Sequence, residues 1–177
     1  LQVSYGFGLE EAARIGRASV PGLPILPAGT ERYTVQGGGS QSLQIAKGDR
    51  IQVIDREGLQ PGEIVLFDSN GVSRAGFLGS KSSGSASGLQ SIVQRQEKSA
   101  ERLGKALKVS GCDLGSAEVV KIFQDASPSG NTVNFVAECD GLLVVGAPGE
   151  QMRAFEQNPP TELILYVHRR TPPHGKP

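Results

Sequence analysis

Residues 42–67, SLQIAKGDRIQVIDREGLQPGEIVLF, decide the fold class. Leu43 and Ile45 alternate with polar neighbours, Ala46-Lys47-Gly48-Asp49 gives a hairpin signal, and Ile51 and Val53 resume the alternation. Gly48 takes positive φ without a Cβ penalty, so it suits that turn. Arg50 and Gln52 then face away from the core that Ile51 and Val53 enter. Asp55-Arg56-Glu57-Gly58 breaks the strand, Pro61-Gly62 turns the chain again, and Ile64-Val65-Leu66-Phe67 is apolar enough for a strand buried on both faces.

The same reading extends outward. Glu31 to Val35 is a first strand, joined to the central stretch by Gly37-Gly38-Gly39, a flexible connection in sequence terms. Asp68-Ser69-Asn70-Gly71 is a turn of the Asn-Gly kind. Leu89, Ile92, Val93, Ala100, Leu103 and Leu107 form one stripe at helical period, predicting a single long amphipathic helix over 89–109. Its cations Arg95, Lys98, Arg102 and Lys105 are read as a solvated outer face. Further strands follow at Val119–Phe123, Thr132–Glu138, Gly141–Val145 and Glu162–His168. The expected fold is mainly β, a barrel or sandwich of short strands with one long helix, in the α+β class.

Composition narrows the function classes. The 177 residues suit one domain with an appended arm, and 24 glycines with 11 prolines suit many turns. Eighteen basic residues balance eighteen acidic ones, which argues against nucleic acid as a partner. No run reaches the ~18 apolar residues of a membrane span, and no secretory signal opens the chain, so the expected location is cytoplasmic and no membrane partner is expected. Cys112 and Cys139 are read as reduced thiols, with no metal-ligand spacing around them. Residues 1–30 are expected to form an arm with a short helix at Leu9–Ile15, residues 31–170 the β-rich domain, and residues 171–177 a Pro-rich linker or tail.

Chemistry-bearing residues gather at the turns. Asp55 and Glu57 flank one strand end, Glu138 and Asp140 another; if those strands are neighbours, the four acids line one pocket mouth and raise one another's pKa. Asp55, Glu57 and Glu138 are the catalytic candidates on that reading. Gln60, Glu63, Asp140, Gln157 and Asn158 are candidate ligand-binding residues, since amides recognise a urea-like or amide-like ligand through paired donor and acceptor bonds. Each acid taken alone also suits a turn, where it accepts backbone N–H bonds. The Gly/Ser-rich loop 79–88 misses a phosphate-loop ending by one inserted serine, and is read as mobile or folded over a ligand.

KGDRIQVIDREGLQPGEIVLFD (47–68), AECDGLLVV (137–145) and QNPPTELILYV (157–167) resemble the urea carboxylase-associated domain family, over about Glu31 to Arg169. The shared features are a glycine turn, a strand ending Asp55-x-x-Gly58-x-Gln60, and Asn158-Pro159 before the last strand. Free-standing members carry a histidine and cysteines suited to zinc; the region after Asp68 has no such cluster, so the resemblance implies no metal here. A second branch looks like the leading domain of aminomethyltransferase proteins, ahead of a glycine-cleavage T-protein-like module that uses tetrahydrofolate. That branch implies a non-metal accessory domain in one-carbon metabolism, partnered by further domains of the same polypeptide and binding a small amine or carboxylate. The first branch implies instead a stand-alone enzyme acting on urea or guanidine-type substrates through Asp55, Glu57, Gln60 and Glu138. A third reading is an interaction module docking through the 147–160 loop.

Overall fold

The apolar run at Ile64–Phe67 becomes the middle of the molecule. It lies in β4 (Gly62–Asp68), whose first six residues are all buried. Ile64 and Leu66 point to one cluster of buried residues, while Val65 and Phe67 point to another. A strand in which successive side chains face opposite ways can be apolar throughout only where both faces are covered. The computed structural model describes residues 26–95, 98–124, 127–149 and 159–170. The expected arm helix at Leu9–Ile15 and the tail at 171–177 lie outside them.

Two antiparallel four-stranded sheets stack face to face. The first has the order β1-β8-β3-β6, from β1 (Thr30–Val35), β8 (Leu163–His168), β3 (Arg50–Asp55) and β6 (Asn131–Val136). The second has the order β2-β7-β4-β5, from β2 (Ser40–Ile45), β7 (Gly141–Gly146), β4 and β5 (Val120–Ile122). Val35, Ile51, Val53, Phe135, Leu163, Leu165 and Val167 from the first meet Ile45, Ile64, Leu66, Val120, Leu143 and Val145 from the second. This is the mainly β, α+β arrangement expected.

The helical part differs from the sequence reading. Helix α1 (Ser87–Val93) and helix α2 (Lys98–Val109) replace the single helix expected over 89–109. Leu89 and Ile92 of α1, with Leu103 and Leu107 of α2, bury against Val65, Phe67, Leu142 and Val144 on the outer face of the second sheet. Two short helices set their apolar sides on a twisted sheet without one straight rod having to follow it. The stripe itself is where the sequence puts it.

The connections also differ. Ala46-Lys47-Gly48-Asp49 is not a hairpin: β2 pairs with β7, whereas β3 pairs with β6 and β8. The segment is a corner that carries the chain from one sheet to the other. Its cause is Asp49, 1% exposed, whose carboxylate accepts from the Ala46 N–H at 3.0 Å and the Arg170 N–H at 2.9 Å. The triglycine is likewise a packed crossover. Gly38 and Gly39 are buried, the Gly38 N–H donates to Ala147 O at 2.7 Å, and a Cβ on Gly37 would collide with the Pro160 carbonyl. The 79–88 loop is tied down by the Ser83 N–H donating to Val119 O at 2.8 Å and by a bridge between Ser85 and Glu118.

No helix among the described residues is long and apolar enough to cross a membrane.

Candidate functional site

The acids singled out in the sequence fall into two separate places. Asp55 is opposite Asn131 at one end of the β3–β6 pair, and Arg50 is opposite Val136 at the other, just before Glu138. Five residues of strand, roughly 17 Å at ~3.3 Å per residue, separate the two ends. Asp55 and Glu57 therefore do not share a pocket mouth with Glu138 and Asp140.

Asp55, Gln60 and Glu63 are each occupied by backbone. Asp55, fully buried, accepts from the Gly58 N–H at 2.9 Å and the Gln60 N–H at 3.1 Å. The Gln60 amide donates to Pro61 O and Pro148 O and accepts from the Thr161 N–H at 2.6 Å. It stitches the β3–β4 corner to the segment ahead of β8. Glu63, 4% exposed, accepts from the Gly88 and Leu89 N–H groups and so closes the start of α1, with Lys121 Nζ 4.0 Å away. Asp140 accepts from the Lys47 N–H at 2.7 Å, and Glu57 is exposed on its turn. Gln157 and Asn158 lie outside the described residues.

A charged knot closes the end of the first sheet. Arg169 donates to both oxygens of Glu31, at 3.0 and 2.7 Å, and to Asp49 Oδ2 at 2.8 Å; Tyr33 OH donates to Glu31 at 2.8 Å. The Arg169 guanidinium holds the Glu31 carboxyl below its ordinary value. Burial pushes Asp49 up, but the N–H groups of Ala46 and Arg170 and the Arg169 guanidinium together bring it below the usual range. The two carboxylates in turn raise Arg169. Every polar group here already has a partner, which marks the knot as structural.

An open cleft among the described residues lies elsewhere, at the end of β3, β6 and β8 that holds Glu138. Its volume is about 530 Å³, within the range of small-molecule sites. Arg50, Gln52, Ser80, Asn134, Glu138 and His168 supply polar groups; Leu78, Phe135 and Val136 supply apolar wall. The wall at Leu78 belongs to a short 3-10 turn, Ala75–Leu78, which the Glu138 N–H fastens to the sheet by donating to Phe77 O at 2.8 Å. Gln52 Nε2 donates to Asn134 Oδ1 at 3.1 Å, fixing both amides. His168 has Thr30 Oγ1 3.2 Å from its Nδ1 and the Tyr166 ring stacked beside it.

Of the sequence candidates among the described residues, only Glu138 is in this cleft. From sequence, Arg50 and Gln52 are only outward-facing strand residues, and His168 is the end of a strand. The alternation that turned Ile51 inward also turned Arg50 and Gln52 out, but β8 lies more than a hundred residues further on, and only strand pairing brings His168 beside Arg50. Burial raises the thiols of Cys112 and Cys139, with Asp68 adding to both. No group of three His, Cys, Asp or Glu among the described residues is placed to hold a metal.

Over 144 residues, 81% of this chain, the sequence is 36% identical to trimethylamine-oxide aldolase of Ruegeria pomeroyi; the matched part is 18% of that protein, so the chain spans under a fifth of this relative's length. No family model matches the chain. A crystal structure of a DUF1989 family protein from Silicibacter pomeroyi superposes with a TM-score of 0.47 and 13% identity over 92% of each chain, a likeness too slight to carry an argument. These findings correct the expected assignment. This relative is named an aldolase, which is a lyase and not a one-carbon transferase. The reading as a non-catalytic accessory domain of such a transferase falls with it.

Proposed function

We propose that this chain forms part of an aldolase-type lyase acting on trimethylamine oxide or a similarly small amine oxide, with the Arg50–His168 cleft holding the substrate. The observation that carries the reading is the 36% identity over 144 residues to a protein of that name. The chemistry of the cleft suits such a molecule. An amine oxide presents one strongly accepting oxygen and a cap of apolar methyl groups. Arg50 offers only donors, the carboxamides of Gln52 and Asn134 add fixed polar groups, and Leu78, Phe135 and Val136 offer apolar contact. The stand-alone urea-directed reading is closer to an enzyme than the accessory reading, but the matched name specifies an amine oxide.

The test is calorimetric titration of the chain with trimethylamine oxide, with urea as the comparison ligand, followed by trapping of released aldehyde. Saturable binding with Kd at or below about 1 mM, weakened about tenfold in Arg50→Ala, is the expected result. Preference for urea, or no binding of trimethylamine oxide, would overturn the reading.

A further inference from the structure

One row of outward-facing side chains runs across the whole first sheet: Thr30, His168, Arg50 and Val136, each directly opposite the next. Side chains opposite one another on adjacent strands have Cβ atoms about 5 Å apart, so His168 has Thr30 on one flank and Arg50 on the other. Arg50 and His168 line the cleft, whereas Thr30 does not. Thr30 holds the imidazole from behind, with Oγ1 3.2 Å from Nδ1. Tyr166, on the same face of β8, stacks on the ring with centroids 6.5 Å apart and planes 13° apart. The ring is thus fixed at Nδ1 and on one face, and Nε2 is the nitrogen left for a ligand. The separation at Nδ1 fits a hydrogen bond in either direction; if Thr30 is the donor, the ring proton of the neutral imidazole sits on Nε2.

We propose that His168 Nε2–H and the Arg50 guanidinium form a two-donor subsite for a single oxygen of a small ligand, with Thr30 as the positioning residue that keeps Nε2 turned into the cleft. The ligands this chemistry selects present a strongly accepting oxygen to the two donors: the single oxygen of an amine oxide, or one of the two oxygens of a carboxylate. Arg50 contributes a guanidinium, so the subsite keeps a cation beside that oxygen whichever form the imidazole takes. Of the charged groups around it, Glu138 lines the same cleft and Arg32 lies one row further along the sheet. The amine-oxide half rests on the function proposed above; the two-donor geometry does not.

The experiment follows the ring nitrogen and proton signals of His168, assigned with His168→Gln, while the chain is titrated separately with trimethylamine oxide and with sodium acetate. In alkaline buffer, without ligand, the ring is expected in the Nε2–H form. Both ligands should move its signals. Arg50→Ala and His168→Gln should each weaken binding by about tenfold, the scale of one lost charge-assisted bond. Thr30→Val should weaken it several-fold and Thr30→Ser restore it. Movement with acetate alone supports the subsite and removes the amine-oxide reading. An Nδ1–H ring, or signals that neither ligand moves, overturns the proposal. Arg50 is exposed, so Arg50→Ala keeps the test open even if a change at His168 disturbs the fold.

Discussion

Arg169 Nη1 lies 2.8 Å from Asp49 Oδ2, joining the residue just beyond the last strand to the corner at which the chain first leaves the second sheet for β3. The two are 120 residues apart in sequence, and the Asp49 side chain is almost fully buried. Removing Arg169 leaves Asp49 desolvated without its counter-charge, whereas removing Asp49 leaves Arg169 its Glu31 partner but strips the Ala46 and Arg170 N–H groups of their acceptor. Asp49→Ala is expected to cost about 3 kcal/mol, and Arg169→Ala a similar amount. Urea unfolding of both single variants and the double variant checks this, because a coupled pair gives a double-variant loss well below the sum.

The same knot sets an acid limit. Glu31 and Asp49 both have folded pKa values below their ordinary ones, 4.5 and 3.8. Groups of that sign contribute stability that is complete above the unfolded values and disappears as pH falls through the folded ones. Stability is therefore expected to be level above about pH 5 on this account and to fall progressively below pH 4. In Asp49→Asn the fall should be shallower. Thermal unfolding across that window in both proteins is the measurement.

Glu63 is the link between β4 and the helical layer. In Glu63→Ala the Gly88 and Leu89 N–H groups lose their acceptor inside the protein, a loss of about 2 kcal/mol. Amide exchange should quicken first in α1, with β3 and β8 unaffected. Uniform loss of protection across both sheets would show that the carboxylate supports far more than one helix start.

Gly141 begins β7 where the backbone of Phe67 passes so closely that a Cβ would overlap its carbonyl oxygen. Gly141→Ala therefore forces β4 and β7 apart at the middle of the second sheet. A loss of about 3 kcal/mol is expected, larger than for Gly104→Ala, whose added methyl meets nothing within 4 Å. Chemical denaturation of the two variants side by side decides it.

The thiols of Cys112 and Cys139 are half-buried and their pKa values are raised, chiefly by burial. Both should alkylate more slowly at neutral pH than an unfolded control, since the thiolate is the reacting form. Mass spectrometry after timed iodoacetamide treatment gives the rates.

Much of the local structure was legible because it depends on period alone. Two-residue alternation placed β3, four apolar residues in a row identified β4, and the 3.6-residue stripe found the residues that both helices bury. The acids at the turns were visible too, but their occupation was not. Asp55 and Gln60 look the same in sequence whether they await a ligand or accept backbone N–H groups, and the folded chain fills them with the latter.

By itself, then, the sequence determined which residues enter a core and that the core is built mainly of strands, because burial of alternate side chains is a property of neighbours along the chain. Tertiary structure alone decided which strands share a sheet, since a turn such as Ala46–Asp49 reads identically as a hairpin or as a corner between sheets. It also decided the cleft. Arg50, Asn134 and His168, which line it, and Thr30, which holds His168 from behind, come from four strands, and only long-range antiparallel pairing, with its fixed register, sets them side by side on one face.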